Sequence, residues 1–489
     1  MRVLVGTVTF VVVLGLCLNA AACSPPRRQG EALASPTRQV FTNRSLVASP
    51  TPGVSVQEDP PPTPTTSTDD ISLMLHYLGG DPVLPQPGVP HPNLLFDSGD
   101  LPALRERARE GVPGTRLKRA YEKIRENAES GSGLDNARDA AFVWLVEDDS
   151  GYRDKAKDIL MSYSPPFSGG DLGRGTALRD YILAYDWIQD DPAYLSPAEL
   201  AHMEKVIEEE VNYLRSEVDS YLRRHAYTNH GTLDASWEGL AALALPHHPK
   251  AGSWLQHSLA CLWLLYAHQA SSEGVWDEGS TYFNLHDGYG FAYFLHAYRF
   301  RSGVNLLADR SQPVEACYEY GVRVRMPDGN RPQTDNSRLR PYSRVPGAVI
   351  APLAVKPGLA EVLQWDHHHG EGGEAKSRSS PILYFITYDP GIEQREPPWN
   401  PTQFLPSDGQ AIFRRDWGVD SSYGFLHGEV NPASFHGQRD QGDFQVYAHQ
   451  AYMLIDCGYG PDGVQDDRRE WYVSGQAHNL ILVDGQGPF

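Results

Sequence analysis

The clearest periodicity in the chain runs from Pro197 to Arg223. Leu200, Met203, Ile207, Val211, Leu214, Val218 and Leu222 recur three or four residues apart, with charged residues between them. That is the stripe of an amphipathic helix, which buries one face and solvates the other. Similar stretches cover roughly 137–147, 152–163, 174–188, 233–245, 252–270, 283–301 and 312–324, joined by short connections. Farther upstream, Ser98, Gly99 and Asp100 offer helix-start chemistry ahead of Leu101, Leu104 and Ala108. Sequential amphipathic helices with short connections pack as antiparallel neighbours. No fixed-length repeat is present, which disfavours a regular solenoid and favours an (α/α) toroid.

After about residue 340 the pattern changes. The segments 381–389, 409–417, 421–430, 443–449, 451–458 and 478–485 are short, aromatic or β-branched, and separated by Gly, Asp or Pro. They read as strands. Helices followed by strands argue for an α+β chain with two domains: an N-terminal (α/α) toroid over 91–340, then an antiparallel β-sheet or sandwich domain over 341–489. The last strand-like segment ends almost at Phe489, so the expectation is a sheet domain that is incomplete here.

The first 23 residues carry one Arg, an apolar run and then Ala20-Ala21-Ala22-Cys23. This reads as an export signal. It resembles the lipoprotein type, with Cys23 as the lipid-bearing residue and a bacterial surface, periplasmic or extracellular location. A plain cleavable signal is the alternative. Residues 24–90 are rich in Pro, Ser and Thr, cannot bury a core, and read as a disordered tether. Only Cys261, Cys317 and Cys457 remain in the body, too few and too scattered for a disulfide framework or a zinc finger. Buried apolar cysteines are the simpler reading.

Composition narrows the partners. The net charge is −20, so nucleic acid is excluded as a partner, because phosphate binding needs a basic surface. The same charge weakens, without excluding, a polyanionic substrate, which a local basic cleft could still steer. Arg223, Arg224, Arg323, Arg325, Arg338, Arg340 and Arg344 are candidates for such a cleft. The 25 Tyr, 16 Phe and 10 Trp suit either a large aromatic core or stacking on sugar faces.

Four clusters can carry chemistry. Asn229 and His230 precede Gly231 and Thr232 at a helix start, where residues commonly line a cleft; taken alone they also read as a cap beside a satisfied His. Asp277, Glu278, Tyr282, His286, Asp287 and Tyr289 surround glycines in a second helix-start loop. His436, Gln438, Arg439 and Asp440 crowd the start of a strand, and Asp456 and His478 sit at strand ends. The tract His367-His368-His369 reads as part of a Gly-rich exposed loop.

Together these clusters resemble the heparinase II/III-like polysaccharide lyases, with alginate-lyase-type relatives. HPNLLF with DLPALRERA, then TNHGT, DEGSTYF and FHGQRDQGDFQVY with LIDCGYG and AHNLILVDG are similar to that group's motifs in order and interval. The resemblance implies a toroid followed by a sheet domain, with the active cleft between them. It implies β-elimination on a uronic-acid-containing polysaccharide, heparan-like or alginate-like. Asn229 and His230 would neutralise the uronate carboxylate, Tyr282 would act as base and acid, and His436 would complete the site. Tyr289, Arg439 and Glu278 would bind substrate, with Tyr289 as the alternative to Tyr282. No cofactor is required by this chemistry. A structural zinc or calcium ion is implied on Gln438, Asp456 and His478, although Gln438 stands where relatives place a His, and an amide oxygen is a weaker zinc donor. Leu233 stands where some relatives place a charged residue. Two other functions compete. One is a glycoside hydrolase on a toroid, using two of Asp234, Glu238, Asp277 and Glu278. The other is a non-catalytic glycan-binding protein.

Overall fold

The structure is a computed structural model. It describes residues 84–487 apart from 111–116, 190, 192, 225, 280–281, 284–289, 309–312, 335–346, 370–380, 429–436, 461–466 and 486. The export segment, the tether up to residue 83, Tyr289, His436 and Arg338, Arg340 and Arg344 lie outside the described residues. No described helix is long and apolar enough to cross a membrane.

The helical region runs through α1 (Leu101–Glu110), α2 (Leu117–Glu129), α3 (Leu134–Glu147), α4 (Ser150–Ser162), α5 (Gly170–Trp187) and α6 (Pro197–Arg223). It continues with α7 (Asn229–Ala244), α8 (Ala251–Gln269), α9 (Ala292–Ser302), α10 (Val314–Arg323), α11 (Leu359–His369) and α12 (Pro381–Thr387). The long α6 starts and stops where its sequence dictates. Ser196 caps it by accepting from the Glu199 amide, Glu199 reaches back to the Ser196 amide, and Pro197 occupies the first turn. Met203, Val206, Ile207, Val211, Leu214 and Val218 form its buried face.

Two kinds of helix alternate. The helices α3, α5 and α7 are buried over most of their length, whereas α4 and α6 bury only one stripe. The buried set touches in sequence, α3 on α5, α5 on α7 and α7 on α9, while α4, α6 and α8 pack against their chain neighbours. An inner row backed by an outer row is the (α/α) toroid arrangement. Two glycines let the inner row close up. A Cβ at Gly175 would lie 1.8 Å from the Trp237 ring, and one at Gly239 would lie 2.4 Å from Phe294.

The sheet follows as β1 (Gln403–Leu405), β2 (Gln410–Arg414), β3 (Tyr423–His427), β4 (Asp443–Ala448) and β5 (Ala451–Leu454). The strands are antiparallel and lie in chain order. Side chains alternate between faces. One face carries Leu405, Ile412, Tyr423, Phe425 and Tyr447, which pack on Val275, Tyr320, Val324 and Met326 from the helical region. The other presents Phe404 and Phe413, both exposed. A short helix α13 (Asp467–Tyr472) and a 3-10 turn at Gly475–Ala477 come last.

Several expectations change. Residues 381–387 form a helix, not a strand, because Phe385 packs between Tyr121 of α2 and Phe142 of α3 at ring distances of 5.4 and 5.7 Å. Residues 478–485 form no named strand, and Ile481 and Val483 are exposed. Helix therefore continues well past residue 340, and the first strand begins at Gln403. The three histidines end α11 and are held there: His368 meets the Tyr388 hydroxyl at 3.1 Å, and His369 the Trp365 carbonyl at 2.9 Å. Cys261 and Cys317 are buried, Cys457 is half-buried, and none forms a disulfide.

Candidate functional site

The first cluster forms at the N-terminus of α7. Thr228 is extended (φ −142°, ψ 163°), so the chain turns sharply into the helix and leaves its first amides without intrahelical partners. The Asn229 amide donates to Glu278 Oε2. Glu278 is fully buried, and burial above all pushes its carboxyl up to about 8, so it keeps its proton at neutral pH. The Asn229 side-chain oxygen is buried without a hydrogen-bond partner among the described residues.

His230 is the exposed member, with a third of its side chain open to solvent. Its Nδ1 lies 2.8 Å from Asp171 Oδ2. Tyr221 from α6 donates to the same oxygen at 2.7 Å, and the Leu172 amide donates to Asp171 Oδ1 at 2.8 Å. Burial works against the Asp171 charge, but the hydrogen bonds from His230 and Tyr221 outweigh it and hold the carboxyl down at about 2. A permanent carboxylate on Nδ1 fixes the tautomer and leaves Nε2 as the proton-accepting nitrogen.

Tyr282 lies four positions after Glu278 in the same motif. Its hydroxyl hydrogen-bonds to the Tyr459 hydroxyl, which comes from the segment beyond the sheet. The Arg469 guanidinium lies 5.3 Å from the centre of the Tyr459 ring. Tyr282 is thus the point at which the helical region meets the C-terminal segment.

The second cluster lies at one end of the sheet. His427 ends β3 opposite Asp443, which begins β4. The loop before β4 buries Gln438 and Asp440, and the segments after β5 bring in Asp456 and His478. Candidate ligand atoms of Asp440, Asp456 and His478 lie within 4.8 Å of one another. Asp456 uses one oxygen on His478 Nδ1, at 2.8 Å, and the other on the Gly458 amide. The outward-facing donors are His478 Nε2, Asp440 Oδ1 and the Gln438 amide, all buried without a hydrogen-bond partner among the described residues. Two carboxylates, an imidazole and an amide oxygen suit a divalent cation. Asp456 and His478 of the expected set fall in one buried group with Asp440, beside the buried Gln438, and Asp456 also holds His478 Nδ1.

Other expected residues fall elsewhere. Arg439 is exposed and pairs with Glu470 at 3.7 Å. Glu278, expected against substrate, is wholly buried and supports the Asn229 backbone instead. Asp234 and Glu238 are wholly buried too. Glu238 is engaged by His257 at 2.6 Å and Arg215 at 3.3 Å, so a carboxylate pair across an open cleft is not formed by these residues. Sequence reasoning misses Asp171 and Tyr221, which lie in no motif it singles out, and passes over Tyr459 inside LIDCGYG; Asp440 stands in the strand-entry cluster it names.

Residues 404–489 match the family described as heparinase II/III-like, C-terminal. Among solved structures, heparinase III aligns at a TM-score of 0.50 with 15% identity, over 86% of this chain and 67% of that one. A mutant heparan sulfate lyase from Pedobacter heparinus aligns at 0.48 with 18% identity, over 87% of this chain and 61% of that one. The chain therefore spans between about three-fifths and two-thirds of the length of these structures. No curated protein matches. Residues 404–489 thus match the heparinase II/III-like C-terminal family, on a chain that shares the fold of heparinase III.

Proposed function

We propose that this protein is a polysaccharide lyase that cuts a uronic-acid-containing polysaccharide by β-elimination. The observation that carries the reading is the partly exposed His230 imidazole, clamped through Nδ1 by a permanently ionised Asp171 at the start of an inner helix. In the reaction a base removes the proton on C5, the electron pair forms the C4–C5 double bond, and the C4–O bond breaks. The departing oxygen takes up a proton. His230 Nε2 supplies a proton acceptor of fixed orientation. Tyr282 supplies a hydroxyl that can pass a proton, with Tyr459 as its hydrogen-bond partner. The Asn229 side-chain amide and the α7 backbone amides that follow the Glu278-bound amide of Asn229 supply donors for charge that develops on the uronate carboxylate. The solved structure that aligns at a TM-score of 0.50 is a heparinase by name; heparin-like and heparan-like polymers are the first substrates to try.

We also propose that Asp440, His478 and Gln438 hold a structural divalent cation, with Asp456 orienting the imidazole. When bound, the cation neutralises the buried carboxylates and ties the loop before β4 to the segments after β5; it takes no part in the elimination. The N-terminal segment would place the protein outside the cytoplasm, anchored through Cys23.

The decisive experiment incubates the protein with a panel of uronate polymers and follows ultraviolet absorbance. Unsaturated products raise the absorbance, and Tyr282→Phe abolishes the rise. New reducing ends without absorbance would instead mean hydrolysis.

A further inference from the structure

The seam between the helical region and the sheet buries an unusual amount of positive charge for so acidic a chain. Arg325 follows α10, Arg331 lies in the turn after it, and Arg414 ends β2; each is at least nine-tenths buried. One carboxylate meets them directly. Asp366 of α11 ion-pairs with Arg325 Nε at 2.9 Å and with Arg331 Nη2 at 2.7 Å. Asp328 is close enough to act on Arg325 electrostatically, but its two oxygens are engaged by Asn330 and Tyr452. Among the described residues, three guanidiniums against two carboxylates leave one positive charge without a counter-charge.

Some donors are satisfied. Arg414 Nη2 donates to the Arg323 carbonyl at 2.6 Å, Arg325 to the Met326 and His369 carbonyls, and Arg331 Nη1 to the Gly329 carbonyl at 2.7 Å. Arg331 Nε is buried without a hydrogen-bond partner among the described residues; Arg414 Nε and Nη1 make no hydrogen bond of good geometry there, and the Tyr423 hydroxyl is the side-chain group that acts on Arg414 most directly. Aromatic faces supply part of the compensation, since Arg414 lies 4.0 Å from the Trp417 ring centre and Arg325 lies 5.0 Å from that of Trp365. A ring face offers no lone pair to a guanidinium N–H edge, however, and a buried charged donor left without an acceptor is costly. The strain shows in Arg414, whose guanidinium is brought down to about 10 by burial first, with Arg325 and Arg331 adding to it.

We propose that the arginines at this seam hold one small, singly charged inorganic anion, chloride or one of similar size, as a structural counter-ion between helical region and sheet. The uncompensated charge sets its valence, the orphaned N–H groups supply its ligands, and the burial excludes a polymer. The site is separate from the α7 cluster and from the acidic cluster at the other end of β3, and it does not depend on the lyase reading.

The test uses the full chain in two ways. Melting is followed while chloride replaces gluconate at constant ionic strength, so that screening stays fixed. The melting temperature should rise by about 2–4 °C and saturate at millimolar chloride, as expected for a ligand that binds only the folded state. In Arg414→Met, which keeps an apolar stem, the chloride dependence should vanish. If that variant does not fold, Arg414→Lys should keep the fold and move the chloride midpoint at least tenfold higher. Crystals soaked in low-millimolar bromide should show one anomalous peak among Arg325, Arg331 and Arg414. Three results would overturn the proposal. One is no chloride dependence in the parent protein. Another is a carboxylate of the chain in the place of the anion. The third is a peak only at molar bromide, meaning an adventitious ion only.

Discussion

Asp171 is the residue on which the proposed chemistry turns, and it cannot be found by spacing. It lies 59 positions before His230, on a different helix, and nothing in its local sequence marks it. The Asn229-His230 pair was legible because it is adjacent in sequence and opens a helix. Its clamp was not, because packing of α5, α6 and α7 brings the parts together. Asp171→Asn removes the permanent charge on His230 Nδ1. Turnover should fall by about a hundredfold with little change in KM, and the pH profile of kcat should shift, which a merely structural residue would not cause. Its folded-state value of about 2 lies below the usual Asp value of about 3.9. A depressed carboxyl stabilises the fold above the unfolded value and loses that contribution as pH falls through the folded one. Parent and Asp171→Asn melting curves should therefore differ most above pH 4 and converge towards pH 2. Asp234, one turn along α7, is the opposite case. It is fully buried, both its oxygens lack partners among the described residues, and burial holds its carboxyl well above the normal range. The folded state then binds more protons than the unfolded one above about pH 4, so this group erodes stability as pH rises. Asp234→Asn should raise the melting temperature more at pH 8 than at pH 4; equal shifts at both would rule this out.

The elements that carry their own punctuation were the readable ones. The helix α6 runs over the span its hydrophobic stripe and Ser196-Pro197 start predict, because cap and stripe agree. The segment PILYFIT has strand-like composition but no sheet partner, and burial of Phe385 against Tyr121 and Phe142 decides for helix. LILVD shows the converse failure: the run forms a bridge at Val483 but no named strand, and Ile481 and Val483 remain exposed. The inner row also fixes how closely α5 and α7 approach. Gly175→Ala would drive a methyl into the Trp237 ring, against helix propensity that favours Ala. The overpacking term should dominate and cost about 1–3 kcal/mol, visible as a lower midpoint in urea with unchanged slope. A neutral or stabilising result would mean the two helices can part at little cost.

At the scale of the whole molecule, the α+β order and the toroid were legible because helix and strand periods separate along the chain. The end of the helical region was not, since α11 and α12 lie beyond the shift in composition near residue 340. The acidic cluster was legible in outline, since Asp440, Asp456 and His478 all stand in the motifs, but only three dimensions bring their ligand atoms within 4.8 Å of one another. Chelation should lower the melting temperature of the purified protein, and Asp440→Asn should abolish that response while leaving the far-ultraviolet spectrum intact. A chelator-insensitive parent protein would remove the cation from this cluster. The seam has one more property. Trp365 of the helical region and Trp417 of the segment after β2 meet edge to face, with ring centres 6.1 Å apart. Two indoles at that separation couple their electronic transitions, so the near-ultraviolet circular dichroism of this protein carries a signal from the joint itself. The difference between the parent spectrum and that of Trp417→Phe isolates it. The protein thus contains an optical gauge of whether its two regions are docked, which can be read during unfolding without any added label.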